Sequence, residues 1–277
     1  MPVAIITANA YAKRVTRAEA AAGAKAAEIE KMIPAIHAMD VSPATKKNYF
    51  IALHHATKDT VSGPHYKAEF LKCDEDAKKL PPPTAPNITY QQIQEAGLKI
   101  MNNEDVPLQH RILAGLSTQI NPVRLDYCNL PINPPPDYKS NYIVLRTALD
   151  SQVVVQEHKT TKILLKVFGD GSLVRTLTPE IYYLINRWHE ENKDALLLEM
   201  SPNLLGKTLT RLFQKHASLH ITQNTIRHAY ITKARAGDRP LAVVAKIAKD
   251  LGHSVATNEA YRWHYDSQPA EPQSTVT

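Results

Sequence analysis

Five side chains between positions 124 and 261 belong to types that can cleave a phosphodiester. Arg124 lies in NPVRLDY, Lys159 in EHKTTK and Arg227 in NTIRHAYIT, and His253 and Tyr261 follow in LGHSVATNEAY. Guanidinium groups hold phosphate oxygens with paired, permanently charged donors, which stabilises the charge that develops during attack. A tyrosine can be the nucleophile where cations favour its phenolate, and a lysine can protonate the leaving oxygen. The set therefore fits phosphoryl transfer without metal or ATP.

Taken alone, each of these residues has an ordinary interpretation. Arg227 would be a surface helix residue, Gly252 with His253 a helix end, Tyr261 a packing residue and EHKTTK a charged turn. Their joint order distinguishes them, above all LGHS with its tyrosine and then IRHAY. In these features most of the chain resembles the tyrosine recombinase (phage integrase) family. The motifs PVRLDY, EHKTTK and LGHSVATNEAY resemble those of the integrases of eukaryotic DNA viruses, virophages and polinton-like elements.

That resemblance implies a site-specific DNA recombinase or integrase. Its tyrosine would cleave one strand, leaving a 3′-phosphotyrosyl bond and a free 5′-hydroxyl, and a partner strand's 5′-hydroxyl would reseal the break. The partner would be double-stranded DNA, bound by a homotetramer on two duplexes, with no cofactor, metal, membrane or small-molecule substrate. The catalytic set that the resemblance implies is Tyr261, Arg124, Arg227, His253, Lys159 and Asn224.

The sequence departs from the family pattern at several positions. Asn224 stands where the family usually has a histidine, and an amide can donate a hydrogen bond to phosphate but cannot transfer a proton. The stretch AGLS places Ser117 where a T-G-L-R pattern has the first arginine, so Arg124 of PVRLDY is the preferred alternative. Lys159 and Lys162 both lie near the turn, and Lys159 is the preferred general acid.

Two further motifs are weaker. Asp126 is a candidate for orienting the site, although the usual carboxylate position holds Tyr127. LLGKT is only a fragment of a phosphate-binding loop, and Lys207 within it is interpreted as a solvated helix residue. The histidines show no paired spacing with other metal ligands.

Composition favours a soluble intracellular protein with a polyanionic partner. The chain of 277 residues has 33 Lys and Arg against 27 Asp and Glu, a net charge of +6, and a pI near 9.1,. The two cysteines, Cys73 and Cys128, lack CxxC spacing, which favours a reducing compartment. No stretch is long and apolar enough to span a membrane. The target DNA would lie in a host nucleus or virus factory.

The expected fold is mainly α with a small antiparallel β-sheet. Residues 1–80 are predicted to form a helical core-binding domain that contacts DNA, 81–87 a Pro-rich linker, 88–266 an α+β catalytic domain and 267–277 a polar tail. The stretches NYIVLRTA, SQVVVQEH and KTTKILLKVF are predicted strands. Helices follow from periodicity and from caps such as Ser42-Pro43. The predicted DNA-binding lysines are Lys46, Lys47 and Lys162, the first two on exposed helix positions.

Two rival functions remain at this point. A type IB topoisomerase or telomere resolvase uses similar chemistry, but the compact size and the recombinase-like N-terminal region argue against it. The second rival is a DNA-binding protein that kept the fold and lost catalysis. Asn224 and Ser117 favour this alternative, and the intact Tyr261 argues against it.

Overall fold

The computed structural model describes residues 3–79, 88–124, 126–157, 161, 165, 171–193, 195–237, 239–252, 255–260 and 262. The chain divides into two compact units, Met1–Thr84 and Ala85–Thr277. The predicted linker 81–87 and the predicted tail 267–277 lie outside the described residues.

The first unit is helical throughout its regular structure. Its helices are α1 (Val3–Ala22), α2 (Ile29–Ala38), α3 (Pro43–Thr57) and α4 (Ser62–Lys79). As its sequence predicts, α3 begins with the Ser42 hydroxyl accepting from the Thr45 amide and with Pro43 in the first turn,. The most extensive helix contact joins α3 to α4. The buried core between the helices consists of Ala18, Met32, Ile36, Tyr49, Phe50, Leu53, Tyr66 and Cys73.

The second unit combines helices with one small sheet. Its helices, within the described residues, are α5 (Tyr90–Met101), α6 (Leu108–Thr118), α7 (Pro179–Glu191), α8 (Pro202–Ala217), α9 (Gln223–Ala234), α10 (Leu241–Asp250) and α11 (Val255–Ala260). Helix α6 contacts α5, α7, α8 and α9, and α9 also packs against α5 and α8. Because Leu113, Ala114 and Leu116 of α6 are fully buried, this helix lies at the centre of the second unit's core.

The sheet has three antiparallel strands in sequence order. They are β1 (Tyr142–Val144), β2 (Gln152–Val155) and β3 (Leu173–Thr176). The predicted fold class, mainly α with a small antiparallel sheet, is therefore confirmed. The third strand of the sheet starts at Leu173. Of the strand predicted at residues 159–168, Thr161 and Leu165 are described and have helical backbone, and the other positions lie outside the described residues. Short apolar runs fit a strand and a buried helix equally well, so this pattern does not distinguish the two.

Candidate functional site

A cleft of about 760 Å³ opens in the second unit where α8 meets the N-terminus of α9. Its third wall is the segment that follows α6 and carries Arg124. The polar and charged lining residues are Arg124, Asp126, Asn203, Lys207, Thr210, Arg211, His220, Thr222, Gln223 and Asn224.

Two of the predicted catalytic residues share this cleft. Arg124 is half-buried and Asn224 is exposed, and both line it. The alternative to Arg124, Ser117, is fully buried near the end of α6. An arginine at Ser117's position would have to enter the apolar core of the second unit. The structure therefore places Arg124, and not position 117, in the cleft that Asn224 also lines.

The segment that carries Arg124 is fixed by two side chains from other elements. Gln223 Nε2 donates to the Val123 carbonyl at 2.6 Å, and Arg175 Nε donates to the Asn121 carbonyl at 3.3 Å. Gln223 is 6% exposed and Arg175 is 7% exposed, so both bonds are shielded from water and are stronger for it. The backbone on either side of position 122 is thus held to α9 and to β3.

Arg175 was missed by the sequence analysis. It occupies an inward-facing position of β3, between the buried residues Leu173 and Leu177. A second bond runs from its Nη1 to the Val174 carbonyl at 2.8 Å. The signal in the sequence is an arginine two residues from a leucine on either side, which puts all three on one face of a strand. This signal can be used only once 173–176 is known to be a strand.

Arg227 does not line the cleft. Its side chain is 1% exposed, the largest of the fully buried side chains among the described residues. Its Nη2 donates to the Leu251 carbonyl at 3.0 Å. Leu251 is the C-cap of α10, and Gly252 follows it in the left-handed conformation with φ of 66°, which favours glycine. Arg227 therefore holds the chain two residues before the predicted His253.

The remaining predicted catalytic residues lie outside the described part of the chain. These are His253, Tyr261, Lys159 and its alternative Lys162. Both lysines belong by sequence to the connection between β2 and β3. His253 and Tyr261 flank α11, whose backbone is described.

The cleft is electrostatically suited to an anion. Arg124, Lys207 and Arg211 supply three permanent cations, against the one carboxylate of Asp126 among the described lining residues. The aligned peptide dipoles give the N-terminus of α9 a partial positive charge at the same place, and no acidic residue in its first turn offsets it,. Thr222 caps this helix, its hydroxyl accepting from the Thr225 amide at 3.1 Å. A phosphate is the kind of group that such a site accommodates.

Lys207, Arg211 and His220 were also not identified as site residues from the sequence. Lys207 is exposed, in agreement with its interpretation as a solvated helix residue, but it faces this cleft together with Arg211 one turn later,. The spacing of the two cations on α8 was the available signal.

Tyr127 is set apart from this chemistry by burial. It is fully buried. Burial raises its pKa well above the ordinary tyrosine value, and the nearby Arg175 guanidinium offsets only part of this,. Burial thus disfavours the phenolate of Tyr127. Asp126, next to it, is half-buried and lines the cleft.

The two predicted DNA-binding lysines of the first unit are engaged within the protein. Lys46 Nζ donates to the His37 carbonyl at 2.6 Å, and Lys47 forms an ion pair with Asp74 of α4. Both are half-buried rather than fully exposed as expected. Each bond joins α3 to another helix, so both side chains contribute to packing.

Comparison with known proteins finds likeness only among solved structures. No protein-family model matches the chain, and none of the curated proteins does. The XerA recombinase structure is 15% identical with a TM-score of 0.43, over 93% of this chain and 86% of that one. A Tn1549 transposon integrase bound to circular-intermediate DNA is 16% identical with the same TM-score, over 87% and 81%. The same integrase bound to transposon right-end DNA is 15% identical, with the same score and coverage. At this level, a likeness assigns no function to this chain.

Two further observations concern metal sites and membrane spans. Across the described ranges, no three His, Cys, Asp or Glu side chains cluster so as to hold a metal ion. Within the same ranges, no helix combines the length and the apolar character needed to cross a bilayer.

Proposed function

We propose that this chain is a tyrosine recombinase-type enzyme that cleaves and rejoins DNA strands, with the cleft as its phosphate-binding site. One observation carries the proposal. Arg124 and Asn224, singled out from distant parts of the sequence, line the same cationic cleft at the N-terminus of α9. The same helix supplies Arg227, which holds the chain two residues before His253. Residues chosen for one reaction thus converge on one helix.

In this proposal the cleft binds the scissile phosphodiester. Arg124 donates paired hydrogen bonds to its non-bridging oxygens, and the amide of Asn224 adds a neutral donor. The buried Arg227, on the same helix as Asn224, adds a fixed positive charge that favours both the phosphate and the phenolate of the nucleophile.

The chemical step exchanges one phosphoester bond for another. The Tyr261 oxygen attacks phosphorus and forms the 3′-phosphotyrosyl bond while the bond to the 5′-oxygen breaks. Lys159, or Lys162 in its place, donates a proton to that oxygen, which leaves as a hydroxyl. Because Asn224 cannot accept a proton, His253 takes the proton of the phenol. A 5′-hydroxyl from a partner strand reverses these transfers and rejoins the DNA, so the bond energy is conserved.

Double-stranded DNA is the proposed partner, and four copies of the chain acting on two duplexes form the proposed assembly. The net charge of +6 and the cationic cleft support binding to the phosphate backbone, with an affinity that falls as salt rises. Sedimentation of the protein with and without duplex DNA measures the assembly, and a tetramer is expected on DNA.

The decisive experiment is covalent capture on DNA from the protein's own source. Reactions are denatured with detergent, and DNA that remains attached to protein is recovered and sequenced. The test variant is Tyr261→Phe, which removes one oxygen. Tyr183→Phe is the matched control, because Tyr183 is an exposed tyrosine on α7. Recurrent attachment sites should appear with wild type and Tyr183→Phe and vanish with Tyr261→Phe. Equal attachment by Tyr261→Phe would overturn the mechanism.

A second candidate, a DNA-binding relic without catalysis, is favoured by one observation. Asn224 lines the same cleft as Arg124, and its amide cannot transfer a proton. Tight DNA binding by both wild type and Tyr261→Phe, with no attachment by either, would favour this relic. Attachment that appears only in Asn224→His would identify this substitution as the cause of the loss.

A further inference from the structure

The short helix α11 is connected to the end of α9 by a partly buried ion pair. Arg235, the C-cap residue of α9, forms it with the Glu259 carboxylate of α11. The Arg235 side chain is 13% exposed and that of Glu259 is 44% exposed. The other carboxylate oxygen of Glu259 lies 3.9 Å from Arg262 Nη1. Arg235 itself is fixed to α9, since its backbone N–H donates to the Ile231 carbonyl at 2.9 Å.

This ion pair matters because α11 cannot hold itself in place. The helix has only 6 residues, and helices of this length are unstable in water without tertiary contacts. It also packs against α10, which directly precedes it, and its Asn258 is fully buried. A charge pair with one member largely removed from water is screened less than an exposed pair. The ion pair from Arg235 therefore contributes to holding α11 on α9.

We infer that Arg235 is a positioning residue that holds α11 on α9 through Glu259 and thereby sets the place of Tyr261, the residue directly after α11. This inference rests on the proposed function for its catalytic consequence. It gives α9 a third anchoring role. Gln223 holds the backbone before Arg124, Arg227 holds the backbone before His253, and Arg235 holds the helix before Tyr261.

Hydrogen exchange of the full-length protein, read by mass spectrometry on residues 255–260, tests the physical part without DNA. Arg235→Gln removes the charge, and Arg235→Lys keeps it. The matched control is Arg187→Gln, which removes an exposed ion pair within α7. Arg235→Gln should raise the exchange rate of α11 about five- to tenfold, and Arg235→Lys by no more than about twofold. Wild-type exchange in Arg235→Gln would overturn the inference. Equal loss of protection in both Arg235 variants would do so too, because the charge would not be the cause.

Covalent capture on the source DNA tests the catalytic part. Arg235→Gln should lower the yield of attached DNA about tenfold, corresponding to about 1.4 kcal/mol, with duplex affinity in a mobility-shift assay unchanged. Arg235→Lys should restore most of the yield. Full yield from Arg235→Gln, despite faster exchange in α11, would show that Arg235 does not position the nucleophile. If wild type itself captures no DNA, the proposed function fails and the role in catalysis falls with it, while the exchange result still decides whether Arg235 holds α11.

Discussion

The side-chain amide of Gln223 donates to the backbone carbonyl of Val123 at 2.6 Å, although the two residues lie 100 positions apart in the chain. Through this bond the first residue of α9 fixes the backbone directly before Arg124. The donor is 6% exposed and the acceptor 1%, so neither group can exchange its partner for water without local opening. The placement of Arg124 in the cleft is thus coupled to this contact, together with the bond from Arg175 to the Asn121 carbonyl.

Gln223→Ala should therefore destabilise the second unit by about 1–3 kcal/mol, because it leaves a buried carbonyl without its donor. Urea denaturation followed by circular dichroism gives the free energy of unfolding. Gln214→Ala, at an exposed glutamine of α8, is the matched control and should stay within about 0.5 kcal/mol of wild type. Equal costs for the two variants would contradict the coupling.

Local signals allowed the helices around the site to be predicted. Ser201-Pro202 predicts the start of α8, and the Ser201 hydroxyl does accept from the Leu204 amide. Thr178-Pro179 likewise predicts the start of α7, where Pro179 occupies the first turn although the Thr178 hydroxyl makes no capping bond to the helix. Such caps depend on residues three or four apart, which a sequence displays directly.

The contacts that complete the site were beyond sequence reasoning. Arg227 donates to a carbonyl 24 residues away, and every residue has the same backbone oxygen, so the sequence does not identify the partner. The inward position of Arg175 depends on the pairing of β2 with β3. The facing of Lys207 depends on how α8 packs beside α9. Periodicity shows which face of an element is apolar, but it does not show what that face meets.

Gly97 is required by the close approach of α5 to α6. A Cβ at this position would lie 2.0 Å from Thr118 Oγ1 and 2.9 Å from Thr118 Cβ. Gly97→Ala should therefore destabilise the protein by about 1–3 kcal/mol or more, the usual effect of overpacking a core. In a double-mutant cycle measured by thermal unfolding, Thr118→Ala should relieve part of this, because it removes the nearer atom. Strict additivity of the two substitutions would show that the clash is absorbed elsewhere.

A substitution at Ser117 is expected to have the opposite effect on stability. Its side chain is fully buried, and its hydroxyl has no hydrogen-bond partner among the described residues. An unsatisfied buried hydroxyl is unfavourable, so Ser117→Ala should leave stability unchanged or raise it by up to about 1 kcal/mol. Thr118→Ala is the comparison, since its hydroxyl donates to the Ala114 carbonyl at 2.8 Å, and it should destabilise. A loss from Ser117→Ala as large as that from Thr118→Ala would contradict this account.

His110 should make stability depend on pH in the mildly acidic range. Burial lowers its pKa below the usual 6.5, and His216 and Lys215 lower it further,. The unfolded chain therefore binds a proton more readily than the folded protein. Stability from this group is complete above about pH 6.5 and is lost as pH falls through the folded-state pKa.

Urea denaturation at a series of pH values from 7.5 to about 5 gives the free energy of unfolding across the range that contains the unfolded-state histidine pKa. His110→Gln should show a shallower fall in the free energy of unfolding than wild type across that range. His65→Gln, at an exposed histidine of α4, is the control for replacing an imidazole. If the free energy of unfolding of His110→Gln fell with pH as steeply as that of wild type, His110 would not be the source of the pH dependence.

Lys207 and Arg211 should contribute to DNA binding through phosphate contacts. Each lines the cleft with an exposed cationic head, and binding of such a head to DNA releases a condensed counterion. Lys207→Gln and Arg211→Gln should each reduce the slope of log affinity against log salt by about 0.9, with weaker binding at low salt. Fluorescence anisotropy with a labelled duplex at several salt concentrations gives both quantities. Arg187→Gln removes the same charge from an exposed side chain of α7 that does not line the cleft. If it lowered the slope as much as Lys207→Gln does, the effect would come from net charge, and the cleft would not be the place where α8 meets DNA.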